Sequence, residues 1–380
     1  MADPFIIGVG NTRFGRLDAV GPIELMAEAA TAALDDAGLE RGAIDGLLCG
    51  YATTLPHLML SDVFAERFGL SLSYAHGVQL GGATGAAMLM LAGDLIRAGR
   101  CRTLLVVAGE NRLSGQSRDQ SIQTLAQVGQ PEFEVRNGAS VPAYYALLAS
   151  RYMYETGTTE ADLAELAVLM RAHAMLHDDA HLRAPITSDE VLASRPIATP
   201  LKLLDCCPIS DGAVAMIVSA DSGAGVRVRI SGSGQAHLHQ HISAMRDVRD
   251  TGAARSAACA FAEARRTLAD VDYLAIYDSF TITLAMLLEE IGVVPPGHAG
   301  TAVRDGVFGA AGRYPLNLHG GLLSFGHSGV AGGLAHAAEA VRQLYGVAGA
   351  RQVRDASCAL VHGDGGVLSA HVSLVLERTA

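Results

Sequence analysis

The chain has no tryptophan and few aromatic residues of any kind, so no aromatic pattern marks a binding pocket in it. It is short of positive charge: the formal net charge is -11 and the isoelectric point lies near 5.7. That balance argues against a nucleic-acid surface or an anionic-membrane patch, because both need a field of the opposite sign. No uninterrupted apolar run approaches the roughly 18 residues of a membrane helix, and Met1 to Gly10 lacks a basic segment followed by a long apolar one. The chain reads as cytoplasmic, with no membrane insertion. Six cysteines (Cys49, Cys101, Cys206, Cys207, Cys259, Cys358) are scattered without metal-ligand spacing, which reads as small buried residues in a reducing compartment and no zinc site.

What the chain does contain is length, small residues and apolar surface. Its 380 residues are half hydrophobic and include 43 glycines, the composition of a compact α/β enzyme with glycine turns. Short apolar strands are expected at Phe5–Val9, Ile44–Cys49 and Thr103–Ala108, with helices over Pro22–Gly38 and Ala86–Arg100. From about 111 to 196 the pattern changes to long polar helices, read as an inserted loop or cap region. Core pattern resumes at Ala213–Val218, closing a first half over 1–220. After a linker at Ala220–Gly225, a second half over 226–380 is expected to hold strands at Val226–Ile230, Tyr273–Tyr277, Cys358–Val361 and Ser369–Leu376, with helices at Ala253–Ala269 and Ala331–Tyr345. Similar element order in both halves implies an internal duplication.

The stretch Val78-Gln79-Leu80-Gly81-Gly82-Ala83-Thr84-Gly85 is laid out as a nucleophile turn: a strand runs through glycines into a small-residue helix. Such a turn sets its residue on the positive end of the helix dipole, where a thiolate is stabilised. Here that residue is Gly82. Three further loops combine glycine with polar side chains after strands: Tyr277-Asp278-Ser279-Phe280-Thr281, Gly320 to Gly329 with His327, and His362-Gly363-Asp364-Gly365-Gly366.

Together with Leu203-Leu204-Asp205-Cys206-Cys207-Pro208-Ile209-Ser210-Asp211-Gly212-Ala213 and the preceding Ser194-Arg195-Pro196-Ile197, these loops resemble the thiolase superfamily. The sterol-carrier-protein-type thiolases are the most similar group. The resemblance implies a five-layered αβαβα fold of two duplicated halves and action on CoA thioesters without a bound cofactor or metal. In that family one cysteine takes the acyl group, a histidine activates it and a second cysteine moves a proton. This chain keeps the histidine as His327 but has Gly82 at the nucleophile's place, Ser279 where the sterol-carrier-protein group has its second cysteine, and Val361 where other thiolases have theirs. Tyr277 stands where that group has histidine and is similar to the thiolase-like aldolases of steroid side chains. Those aldolases carry tyrosine at the place of His327, so the chain mixes two patterns.

A glycine cannot form an acyl-enzyme. The likeness to the aldolases then implies retro-aldol C–C cleavage of a 3-hydroxyacyl-CoA through a thioester enolate. Tyr277 and His327 are the acid/base groups, Asp278 is a further catalytic residue or an ordinary cap, and the backbone N–H groups of Gly82 and Ala83 face the oxyanion. Which of Tyr277 and His327 is the base stays open. The alternatives are a divergent acyl-CoA acyltransferase and a non-catalytic CoA-binding scaffold subunit. The resemblance also implies a homodimer, with a small zinc-ribbon/OB-fold protein as a further partner. Ser279 and His362 are weaker candidates. His173, His177 and His181, four apart on an expected helix, imitate a metal face but read as solvated or cap-packing residues, while Arg136, Arg151 and Arg183 are candidates for the CoA phosphates.

Overall fold

The computed structural model describes residues 2–138, 140–222 and 227–379. Residues 223–225 of the linker expected at Ala220–Gly225, and Val226 at the start of the next strand, lie outside the described residues.

Nine strands form one mixed sheet. In chain order they are β1 (Phe5–Asn11), β2 (Gly46–Gly50), β3 (Tyr74–Val78), β4 (Thr103–Asn111), β5 (Asp211–Ser219), β6 (Arg227–Ala236), β7 (Tyr273–Ile276), β8 (Cys358–Gly365) and β9 (Ala370–Thr379). Across the sheet they run β3-β2-β4-β5-β1-β6-β9-β8-β7. From the centre outwards, each half places its first strand, then its last, its penultimate and its second. The first half adds β3 at the edge. The halves meet where β1 pairs antiparallel with β6, Phe5 opposite Arg229 and Ile6 opposite Val228.

The same local device recurs in both halves. Helix α1 (Pro22–Ala37) has proline in its first turn, ends at the left-handed Gly38 and buries Leu25, Met26, Ala29, Ala30, Ala33 and Leu34. It lies so close to β1 that a Cβ at Gly8 or Gly10 would strike its carbonyls. Gly232 and Gly234 on β6 stand in the same relation to the helix Ala253–Ala264. Paired glycines on the first strand of each half admit an outer helix, an argument for duplication that residue identity alone does not make.

Helix α2 (Leu60–Phe68) packs beside β2 and β3, and between the halves lie two buried helices, α3 (Thr84–Arg97) and the helix Val330–Tyr345, packed on each other and on strands of both halves. Outer helix, one half of the sheet, inner helices, the other half of the sheet and outer helix make the five expected layers. Residues 111–196, read from the sequence as an inserted cap, hold the helices Arg118–Ala126, Val141–Thr156, Glu160–Ala174 and Ser188–Ala193. The helix expected over Ala253–Ala269 is shorter than its pattern, stopping at Ala264 because Arg265 turns left-handed. Among the described residues no helix is long and apolar enough to cross a membrane.

Candidate functional site

Gly82 sits in the turn between β3 and α3. Thr84 staples that turn: its hydroxyl accepts from the Leu80 N–H at 2.8 Å and donates to the Gly81 carbonyl at 2.6 Å. Tyr277 leaves the end of β7, its N–H donating to the His362 carbonyl at 3.0 Å. His327 lies between the short helix Gly321–Ser324 and the inner helix Val330–Tyr345. One strap ties these loops together. The Cys207 N–H donates to the Ser279 carbonyl at 3.0 Å, the His327 N–H to the Pro208 carbonyl at 3.2 Å, and the Ser210 N–H to the His327 carbonyl at 3.0 Å. The Cys206-Cys207-Pro208-Ile209-Ser210 motif therefore fixes the Tyr277 and His327 loops relative to one another.

The loops converge on a cavity of about 270 Å³ whose lining includes Gly82, Tyr277, Ser279, His327, Cys206, Cys207, Glu110 and Arg112. The inserted region closes it with Ile122, Leu125, Val128, Val141 and Pro142, an apolar wall. The Tyr277 hydroxyl lies 3.1 Å from His327 Nε2. A Cβ built on Gly82 would overlap that hydroxyl and the Asp364 carbonyl. The missing nucleophile has left no hole, because the phenol of Tyr277 occupies the space a side chain at 82 would need.

The protonation of this pair follows from its partners. His327 Nδ1 accepts the Gly329 N–H at 3.1 Å, so in the neutral ring the proton resides on Nε2, directed at Tyr277. Burial, reinforced by the Arg112 charge and by His336, lowers the His327 pKa to about 3. Burial likewise pushes the Tyr277 phenol well above its usual 10, with Tyr145 and Asp364 adding to the effect. Of the two groups expected as acid and base, neither is a ready base: both present N–H or O–H donors at neutral pH. His327 stays neutral above pH 4, since a depressed pKa means charging only as pH falls through about 3. Ring ¹⁵N shifts of His327 are expected to show no titration from pH 5 to 8; a midpoint near 6.5 would overturn this assignment.

Asp278, expected in the catalytic set, does not line the cavity. It is fully buried behind it, accepting from the Leu322 N–H at 2.7 Å and lying 3.0 Å from His336 Nε2. It caps the turn that leads to His327 instead of opening the helix Thr281–Glu290, whose cap is Phe280. Its reach is positional. Ala83 is buried as well, so of the two expected backbone donors only Gly82 borders the cavity.

Neither cavity cysteine replaces the lost nucleophile. Burial raises the Cys206 thiol to about 12 and the Cys207 thiol higher still, so both remain protonated. Ser279 borders the cavity, but its hydroxyl faces Thr283 at 3.4 Å, with no base at hand. His362 points away, as strand alternation requires, and is 2.8 Å from Ser373 and 3.2 Å from His371. Val361, buried on β8, does not border the cavity.

His173, His177 and His181 do not share a helix face: the helix ends at Ala174, His177 packs edge-on against Phe325, and His181 lies 2.9 Å from Ser210. Among the described residues no cluster of three or more possible metal ligands occurs. The three arginines expected to hold CoA phosphates stand outside the cavity. Arg151 and Arg183 pair with Glu155 and Asp178 at the surface, and Arg136 lies on an exposed turn.

Two charged residues of the cavity escaped the sequence reading. Glu110 is the penultimate residue of β4 and Arg112 follows its end; two charges directly after the apolar run Thr103–Gly109 were the available signal. Glu110 Oε1 accepts from the Thr53 hydroxyl at 2.6 Å, from the Thr53 N–H and from the Thr54 N–H at 3.1 Å. Burial raises its pKa, against the opposing effects of Arg112 and these hydrogen bonds.

Two similar halves around buried inner helices, with four loops gathered on one cavity, define an enzyme of the thiolase type. Comparison with known proteins agrees: residues 5–222 match the family "Thiolase, N-terminal domain" and 234–378 "Thiolase C-terminal domain-like". The chain belongs to the thiolase family. An acetyl-CoA acetyltransferase of Methanothermobacter thermautotrophicus is 32% identical over 98% of this chain and 99% of its own length. A 17-hydroxy-3-oxo-4-pregnene-20-carboxyl-CoA lyase of Mycobacterium tuberculosis is 31% identical over 90% of this chain and 91% of its own. Among solved structures, one named Ltp2-ChsH2(DUF35) aldolase superposes with a TM-score of 0.82 at 29% identity, covering 99% of this chain and 97% of that one.

Proposed function

We propose that this protein cleaves, or forms, the Cα–Cβ bond of a 3-hydroxyacyl-CoA through a thioester enolate, with no acyl-enzyme. The observation that carries the reading is the Tyr277 hydroxyl in the space of the missing nucleophile, hydrogen-bonded to His327. In the cleavage direction a base takes the β-hydroxyl proton, the carbonyl forms, the Cα–Cβ electrons move into the thioester, and the enolate oxygen receives hydrogen bonds from Tyr277 and His327. Proton return to Cα releases the shortened acyl-CoA. Two neutral donors 3.1 Å apart suit an oxygen that gains charge only in the transition state. Glu110, a cavity carboxylate whose raised pKa makes it a stronger base, is our choice for the β-hydroxyl proton.

Two relatives named as a lyase and an aldolase support the reading. Acyl transfer, the rival, draws on the acetyltransferase at 32% identity but lacks a thiolate. Incubation with acetyl-CoA labelled in the acetyl group separates them: no protein-bound label is expected. A 3-hydroxyacyl-CoA panel should yield an aldehyde or ketone together with acetyl- or propionyl-CoA. Stoichiometric label on the chain with no carbonyl product would overturn the lyase.

For assembly we propose a homodimer through the half-exposed edge strand β3, joined by a small zinc-ribbon/OB-fold protein, in a cytoplasmic setting. The name of the aldolase structure, which couples its chain to a DUF35 component, supports such a partner. Full cleavage by the purified chain alone would remove it.

A further inference from the structure

Arg112 is the unexplained charge of the cavity. It is 6% exposed and lines the cavity, yet among the described residues it forms no hydrogen bond and no ion pair, and its Nε is buried without a partner. Glu110, the neighbouring carboxylate, directs Oε1 to Thr53 and Thr54 instead. A buried donor left without a partner is costly in an empty site, and a ligand that completes the fork removes that penalty.

Its place defines which part of a ligand it meets. Arg112 Cδ lies 3.7 Å from where a Cβ on Gly329 would stand, and the Gly329 N–H holds His327. Arg112 thus lies beside the loop that carries His327, and its charge reaches both His327 and Cys207 in the cavity where the acyl group must sit. A flat, charged fork is matched best by a carboxylate, which accepts two parallel hydrogen bonds and neutralises the charge.

We propose that Arg112 is a specificity-determining residue that recognises a carboxylate on the acyl chain, so that the substrates are CoA thioesters of dicarboxylic 3-hydroxy acids. The inference rests on the acyl-CoA reading of the cavity but not on the lyase chemistry.

The test uses binding of thioesters without a β-hydroxyl, which cannot undergo retro-aldol cleavage: succinyl-CoA against butyryl-CoA, and glutaryl-CoA against valeryl-CoA, measured by calorimetry on the full chain. Each pair has equal carbon number and differs in one carboxylate for a methyl group. At least one pair should favour the carboxylate by on the order of 10- to 100-fold. Arg112→Gln should bring that ratio to about one, and Arg112→Lys should restore part of it. Equal binding within both pairs by the unaltered chain overturns the proposal whatever the variants do, and so does a preference that survives Arg112→Gln. Failure of all four thioesters to bind would overturn the acyl-CoA reading itself.

Discussion

Tyr277→Phe is expected to lower kcat for C–C cleavage by about 10²- to 10³-fold, the usual loss when one donor to a developing oxyanion is removed. The change deletes one hydroxyl and keeps the ring, which is buried and lies stacked beside His336 at 6.3 Å between centroids. Folding should suffer little, by about 1 kcal/mol for one hydrogen bond. Because the hydroxyl meets an oxygen that carries charge mainly in the transition state, the loss should fall on kcat with KM nearly unchanged. Steady-state kinetics on the best 3-hydroxyacyl-CoA, with thermal unfolding as the control, reads this directly. A variant within tenfold of the parent would show that the phenol fills space and does no chemistry. A parallel rise in KM would make it a binding group.

Much of the architecture was legible because it rests on short-range constraints. Alternating apolar strands and alanine-rich helices leave a periodic trace, and glycines mark where helices approach strands, so the strands at Phe5, Thr103 and Tyr273 and the helices at Pro22 and Val330 lie where their patterns place them. The site was legible at the four glycine-flanked loops, since those motifs are contiguous. What could not be read is what depends on contacts between distant segments. The direction of the His327 proton is set by Gly329 and by a phenol fifty positions away. The displacement of Asp278 from the cavity depends on the turn at Leu322, and Arg112 stands out only because nothing among the described residues comes to pair with it. Burial is also a property of the assembled fold, and it raises the phenol that the sequence left open as a base. Strand and helix periodicity cannot reveal such reversals.

The steric relation between Gly82 and Tyr277 predicts that restoring the family's cysteine alone will fail. Gly82 has no positive φ, so its backbone would accept a side chain; only crowding forbids one, and the crowding atoms are the Tyr277 phenol and the rigid Asp364 carbonyl. Gly82→Cys should therefore destabilise the fold by roughly 1–3 kcal/mol, the range for overpacking a core, and abolish cleavage by displacing the phenol. Tyr277→His, which introduces the residue of sterol-carrier-protein-type thiolases, removes one of the two obstacles and leaves only the Asp364 carbonyl to shift. The double variant should be more stable than the sum of the single effects by about 1 kcal/mol or more, a coupling that independent sites do not show. It should also gain a function. The introduced thiol would stand at the start of α3, where the helix dipole favours a thiolate, in the cavity that holds His327. Labelled acetyl-CoA should then leave close to one acetyl group per chain on the double variant, and none on the parent or on Tyr277→His alone. Denaturant unfolding of the four proteins supplies the cycle, and mass spectrometry locates the acetyl group. Additive stabilities would mean that Tyr277 and residue 82 do not compete for the same space. A stable, acetylated Gly82→Cys with Tyr277 intact would mean that the phenol moves aside without cost, and loss of the thiol would then not have been what fixed it in place.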